Sequence, residues 1–440
     1  MMFGILLVSL WWLFVSFIGY HAGISSSAFL EANKGQVDKS FLQVITDIYS
    51  QGILNYGPNL MTVLFGAWFG SVLMETGVAA ALIRRAVELG GDRPAVSACL
   101  LTIVVAAVFT SVFGIGAVIA IGVIVLPILL SLGISKLTAC ISYLFSVGAG
   151  LFVNATLTTG SLGLFARDAS GEQIYFFGDY VVQFGWIGLV IALVFTLVLT
   201  FVLVSREQKT HAWAAPVDGG SLGEEEKFVP GYALITPVLP ALALIVPTLI
   251  TKGKVNLPII PVFTLIAFLV FALCRRLTSL KESGSLLSKT FSAGLIDSAA
   301  LIGFLSFLNV MPSILGYAGP YLSNLLRPII PESNLVLAII IAVLAPLALF
   351  RGPLTIFGAG GAVMMIIYAM GHTTYNFLFP LMWITSMTMN LMACITQSYV
   401  AWAVGYTKLE PIDYLKKSGP FAWILAILLI AACYLVLGRA

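Results

Sequence analysis

Apolar positions in this chain neither alternate with a period of two nor form stripes divided by charge; they run together. Stretches such as 182–204 are apolar at nearly every position, and such runs last roughly 18 to 25 residues, enough to cross a hydrocarbon layer of about 30 Å at 1.5 Å per residue. Thirteen helical segments are predicted: 3–21, 52–74, 95–112, 115–133, 138–165, 182–204, 232–250, 257–274, 293–314, 335–350, 353–371, 376–405 and 420–438. Only helices and closed barrels satisfy every backbone N–H and C=O in lipid, and barrel strands alternate apolar with polar residues, which these runs do not. The pattern therefore predicts an all-α polytopic membrane protein.

Composition agrees. Of the 440 residues 60% are hydrophobic and 9% charged, against roughly 25% charged in an average soluble protein. The first stretch has no basic region before it and no small-residue cleavage site after it, so it reads as a retained helix, not a signal peptide. Five cysteines, Cys99, Cys140, Cys274, Cys394 and Cys433, lie in or beside apolar segments without a CxxC pair, which suits small hydrophobic filler. A net charge of +3, with basic residues in short loops, gives no support to nucleic-acid binding. With a cytoplasmic N-terminus, the clusters Arg84, Arg85 and Arg93, then Arg206 and Lys209, then Arg275, Arg276, Lys281 and Lys289, then Lys408, Lys416 and Lys417 all fall inside, and the 165–180 loop with Asp168, Glu172 and Asp179 falls outside. The expected location is an inner or plasma membrane, crossed many times.

The longest polar stretch, 206–231, is rich in Gly, Pro and charge and reads as a cytoplasmic linker, with Glu224 to Glu226 and His211 solvated. It divides a first transmembrane repeat, 1–205, from a connecting helix, 232–256, and a second repeat, 257–440. The halves overlay at an offset of about 240 residues. GVAAALIRRAVELGGDRP at Gly77 falls opposite GYAGPYLSNLLRPIIPES at Gly316, FTSVFGIGAV opposite FRGPLTIFGAG, and FVNATLTTG opposite ACITQSYVAW. The unmatched segment 232–250 adds a crossing, so the second half enters from the other side. Two inverted-topology repeats with broken helices or hairpins meeting at a midplane site is an arrangement used by secondary transporters.

Irregular backbone survives at membrane depth only where it lines a cavity. One break per half is predicted at Thr110 and Ser111 with Gly114 and Gly116, and at Arg351-Gly352-Pro353 with Thr355, Gly358, Gly360 and Gly361; the other at Asn154, Thr156, Thr158, Thr159 and Gly160, and at Thr388, Asn390, Thr396, Gln397 and Ser398. A single hydroxyl in a spanning helix ordinarily bonds back to its own turn or packs between helices. Clustering beside glycines in the same element of both halves points instead to a solute site: Thr110, Ser111, Asn154, Thr156, Thr158, Arg351, Gly352, Thr355, Asn390, Thr396, Gln397 and Ser398. Arg351 either snorkels at a membrane edge or lies inside, where a cation needs an anionic partner and its fork suits a carboxylate. Half-helix N-termini also favour negative charge. Asp297, an acid inside an apolar segment, with Asn59 opposite it in the repeat, is the candidate for coupling to H⁺ or Na⁺ unless it lies near the cytoplasmic end in water. Glu75 is expected to belong to an interfacial salt-bridge group with Arg84 and Arg85, and His372 to a loop.

Taken together, METGVAAALIRRAVELGGDRPAVSACLLTIVVAAVF, FRGPLTIFGAGGA, FVNATLTTG and ACITQSYVAW resemble the ion transporter superfamily over nearly the whole chain, and gluconate, citrate and C4-dicarboxylate permeases most of all. The resemblance implies uptake of a small carboxylate driven by H⁺ or Na⁺ through alternating access, no cofactor beyond the coupling ion, and a homodimer in the bilayer. The sodium/dicarboxylate symporters carry Ser-Asn-Thr in each half; here the matching stretches read Asn154-Ala155-Thr156 and Thr396-Gln397-Ser398, a departure that bears on sodium coupling. The alternatives are a Na⁺/H⁺ antiporter, for which Asp297 alone is a sparse set of carboxylates, or a carrier for a neutral or amine solute. A channel would not need a pseudo-symmetric site of broken helices. An enzyme is not expected: HExxH and the P-loop are missing from the sequence, and no GxSxG stands on a predicted helix.

Overall fold

The computed structural model describes most of residues 57–166, 173–207, 228–308 and 330–439, with isolated positions before residue 57. Nearly all of the apolar stretch 3–21, the body of the 206–231 linker, residues 316–329 of the second amphipathic piece, Arg167, Asp168, Glu172, His211 and His372 lie outside the described residues. Among the described residues the protein is helical and contains no β-strand.

The helices are α1 (Gly57–Thr76), α2 (Val78–Gly90), α3 (Pro94–Phe109), α4 (Ile115–Ser131), α5 (Lys136–Leu151), α6 (Ala155–Phe165), α7 (Phe177–Arg206), α8 (Leu239–Ile250), α9 (Ile259–Leu273), α10 (Leu280–Leu308), α11 (Asn334–Leu344), α12 (Gly360–Ala369), α13 (Tyr375–Thr385), α14 (Ser398–Tyr406) and α15 (Pro411–Leu437). Their ends follow from local chemistry. Pro94 and Pro411 open α3 and α15, where a missing N–H costs nothing. Ser135 and Asn154 cap α5 and α6 by accepting the Thr138 and Leu157 N–H groups. Gly114 precedes α4 with φ 115°, a conformation open to glycine.

Among the described residues four helical stretches are long and apolar enough to cross a membrane, Phe177–Arg206, Asn334–Arg351, Tyr375–Tyr406 and Pro411–Leu437, and two bent pairs raise the number to six. The pairs are α1 with α2, bent by 63°, and α5 with α6, bent by 61°. The apolar window of 375–406 is 94% buried and that of 411–437 only 33%, so the first lies at the centre and the second at the periphery. Several predicted boundaries move. The helix predicted at 420–438 starts at Pro411, that at 293–314 starts at Leu280, and that at 353–371 is helical only from Gly360. Basic residues expected in loops therefore sit on helices: Arg84 and Arg85 on α2, Lys281 and Lys289 on α10, Lys416 and Lys417 on α15. The reason is that long basic side chains let a helix run on beyond the apolar layer while their charges reach water.

Around α5 and the 375–406 stretch the other elements form a shell. α3 and α7 pack on α5; α10 and α9 pack on α1; α15 covers the 386–393 turn, which also meets α5. α14 packs on α4, and α12 on α6. Where α3 crosses α5, a Cβ on Gly150 would come within 2.2 Å of the Ala106 carbonyl oxygen. Backbone cannot rotate away, so Gly150→Ala should push the two helices apart. The better helix propensity of Ala recovers about 1 kcal/mol, less than the roughly 1–3 kcal/mol typical of overpacking. A net loss in detergent thermal unfolding is expected, and an unchanged melting temperature would mean that the helices are less close than this.

Candidate functional site

Two discontinuous elements per half meet inside the protein. In the first half α3 stops at Phe109 and α4 starts at Ile115, while α5 stops at Leu151 and α6 starts at Ala155. Asn154 ties the two breaks together: its side-chain amide donates to the Phe109 and Val112 carbonyls at 2.9 and 3.0 Å, and its oxygen caps α6. In the second half a tight 3₁₀ turn from Ala345 gives way at Leu349 and Phe350 to a kinked, non-helical stretch that runs on into 352–359, and α13 passes through a wide π-turn, Ser386–Ala393, before α14 starts at Ser398. Asn390 donates to the Ala348 carbonyl at 3.3 Å, and the Gln397 side chain caps α14 by accepting the Ser398 N–H at 2.9 Å. Phe113 of the first half lies 6.5 Å, ring to ring, from Tyr399 in the first turn of α14, which brings the halves together.

The sequence-derived residues divide into three groups. Thr110 and Thr388 bond back to the carbonyls of Ala107 and Ile384, and Ser111 accepts the Ala241 N–H in the first turn of α8. Those hydroxyls do the structural work expected of a lone hydroxyl in a helix. Thr156, Thr158 and Thr355 are fully buried, and their hydroxyls find no hydrogen-bond partner among the described residues; the same holds for the Thr159 hydroxyl and for the Asn390 side-chain oxygen. Thr156 abuts α1 at Gly66, where a Cβ would stand 2.2 Å from its hydroxyl oxygen. Thr396 and Ser398 are exposed, and Thr396 lies 3.1 Å from the Cys394 sulfur.

Arg351 is half-buried, not fully extended into solvent. Its guanidinium donates to the Phe357 carbonyl at 3.1 Å and reaches the Gln397 side-chain oxygen at 3.5 Å, so it spans both breaks of the second half. Phe350 and Arg351 have φ of 55° and 59°. Left-handed backbone costs a non-glycine residue about 1–2 kcal/mol, and two in succession mark a segment held by its surroundings. The hold is visible: Phe350 donates its N–H to Cys394 Sγ, Ile356 its N–H to Ser386, and Thr385 its hydroxyl to the Leu354 carbonyl. Gly352 makes the turn possible, since a Cβ there would meet the Leu347 carbonyl oxygen at 2.0 Å.

Asp297 and Asn59, equivalent positions in the repeat alignment, rest on different helices. The Asp297 carboxylate rests on the first turn of α4, where a Cβ at Gly116 would lie 2.4 Å from it, whereas Asn59 rests on α6 at Gly163. Trp68 packs against Gly294 and Glu75 pairs with Lys289 at 2.9 Å, so α1 and α10 run antiparallel and Asp297 comes level with Gly66, not with Asn59. Glu75 thus has a link to α10 that the sequence does not signal, and Arg85 pairs with Glu88. Sequence reasoning missed Cys394, Thr385, Ser386 and Tyr399; an apolar run offers no signal that separates such residues from core filler. No family model matches the chain, and no curated protein matches it significantly.

Proposed function

We propose that this protein is a secondary active transporter that takes up a small organic anion, coupled to H⁺ or Na⁺, by alternating access. The observation that carries this is the set of buried oxygens and hydroxyls without hydrogen-bond partners among the described residues on the broken elements of both halves: Thr156, Thr158, Thr355 and Asn390. A buried polar group without a hydrogen bond costs about 1–3 kcal/mol, so a stable fold keeps several of them where a solute, an ion or water completes them. Arg351 supports a negative charge on that solute, and the first turn of α6, where Asn154 takes only the Leu157 N–H, adds backbone donors beside Thr156 and Thr158.

The pairing of elements supports inverted repeats. Asn154 and Asn390 each bind the carbonyls of the neighbouring break; α14 packs on α4 as α12 packs on α6. A chain built of two such units offers the site to either side by rocking one against the other.

Thermal unfolding of the purified protein in detergent, with about a hundred organic acids, amino acids, amines and neutral solutes and with or without Na⁺, tests the reading. A ligand at 100 times its Kd stabilises by about 2.7 kcal/mol. A carboxylate that raises the melting temperature by several degrees is the expected result, and a Na⁺ requirement would identify the coupling ion. Stabilisation by amines, neutral solutes or Na⁺ alone would overturn the anion reading, the last of these in favour of an antiporter.

A further inference from the structure

Every broken helix leaves carbonyl oxygens at the end of its first half, because the turn that would supply N–H donors is missing. In this protein the two broken helices solve the problem in the same way. The Tyr180 hydroxyl donates to the Phe152 carbonyl at 3.0 Å, at the point where α5 gives way to α6. The Tyr414 hydroxyl donates to the Met392 carbonyl at 2.6 Å, at the end of the π-turn that gives way to α14. Both tyrosines are fully buried, and each stands near the start of the long helix that closes its half, α7 or α15. Tyr180 also packs its ring against Phe379 and Trp383 at 5.5 and 6.4 Å, so the brace on the first break leans on the broken helix of the second half.

We infer that Tyr180 and Tyr414 are positioning residues for transport: each holds the open carbonyl end of one broken helix and so sets where Asn154 or Gln397 presents the half-helix that follows. The long closing helices act as struts. A phenol suits the task because its hydroxyl reaches the carbonyl from a rigid, apolar ring that loses little freedom on burial. Replacing the hydroxyl by hydrogen leaves the ring packing intact and strands a single carbonyl, whose release loosens the break without removing any group that faces solute. Solute affinity should fall through the displaced caps, while the rate of the rocking step, set elsewhere, changes little. The transport consequence rests on the carrier reading; the local one does not.

The test uses the full chain carrying Tyr180→Phe or Tyr414→Phe, with Tyr143→Phe as control. Tyr143 is likewise buried and donates to a carbonyl, that of Val118, but inside the continuous helix α4. Hydrogen exchange followed by mass spectrometry should show exchange rising about tenfold in peptides covering 150–158 for Tyr180→Phe alone and in those covering 390–400 for Tyr414→Phe alone, the effect of one buried hydrogen bond. Tyr143→Phe should leave both breaks unchanged. KM for the anion found by thermal shift should rise about tenfold in both variants with Vmax within about twofold, and Tyr143→Phe should leave KM as it is. Exchange that stays unchanged at the breaks, or rises evenly along the chain, overturns the positioning role whatever the protein carries. Local exchange with no change in KM overturns its transport part. Local exchange in a protein that binds no organic anion upholds the braces and removes the carrier reading instead. If one phenylalanine variant fails to fold, the other decides by the same readouts.

Discussion

Uptake of the anion should fall by about two orders of magnitude in Arg351→Ala and by about tenfold in Arg351→Lys. The estimate comes from the chemistry of the fork. A hydrogen bond to a charged group contributes about 1.5–3 kcal/mol, so losing two parallel bonds to a carboxylate removes roughly 3 kcal/mol or more. Lysine keeps the charge but offers one point in place of a planar pair of donors. The bond from Arg351 to the Phe357 carbonyl is short at 3.1 Å, whereas its reach to Gln397 is 3.5 Å. That longer contact is the one an arriving carboxylate would displace, releasing Gln397 to serve the solute. Counterflow of labelled solute in proteoliposomes measures this without any ion gradient. Arg351 also braces a left-handed turn, so its alanine variant must be shown to melt near wild type before its transport is compared. Full counterflow in a folded Arg351→Ala protein would remove the clamp and with it the main reason for assigning negative charge to the solute.

The breaks were legible in the sequence because lipid punishes irregular backbone and because glycine and small polar residues signal it. Gly114 and Asn154 sit at the break points that this logic gives them, one as the φ 115° entry to α4 and the other as the cap of α6. What each hydroxyl does was not legible. Thr110 and Thr156 occupy equally polar stretches, yet one bonds to its own turn and the other is left open, because only the packing of α1 at Gly66 decides which way Thr156 faces. Ser111 is taken by Ala241, 130 residues away in sequence, and no local pattern encodes such a pairing. The tyrosine braces were invisible for the same reason: a lone tyrosine in an apolar helix has the same sequence signature whether its hydroxyl serves a break, as Tyr180 does, or a continuous helix, as Tyr143 does. A repeat alignment equates Asp297 with Asn59 without placing them in contact, and the antiparallel packing of α1 on α10 sets the two against different helices, α4 and α6.

Asp297→Asn should leave solute exchange near its wild-type rate and abolish accumulation against a gradient. The Asp297 carboxylate lies over the first turn of α4, whose N–H groups at residues 115–117 precede the first intrahelical bond, from Val118 to Gly114. Asparagine has nearly the same volume, so the contact with Gly116 survives while the titratable charge is lost. A sodium ion needs several oxygens around it, and the contact with Gly116 supplies none from a side chain, so a proton on Asp297 fits the setting better than a sodium ion beside it. Gly116→Ala gives an independent check on the geometry: its Cβ would occupy the place of the carboxylate, so the acid must leave the α4 turn, and concentrative uptake should fall by at least tenfold although no charge has been changed. Accumulation is measured as uptake into proteoliposomes under an imposed pH gradient or an imposed Na⁺ gradient. Accumulation that survives Asp297→Asn moves coupling to another group. Accumulation that is lost in that variant but driven in wild type by Na⁺ alone keeps Asp297 in the coupling step and rejects the proton.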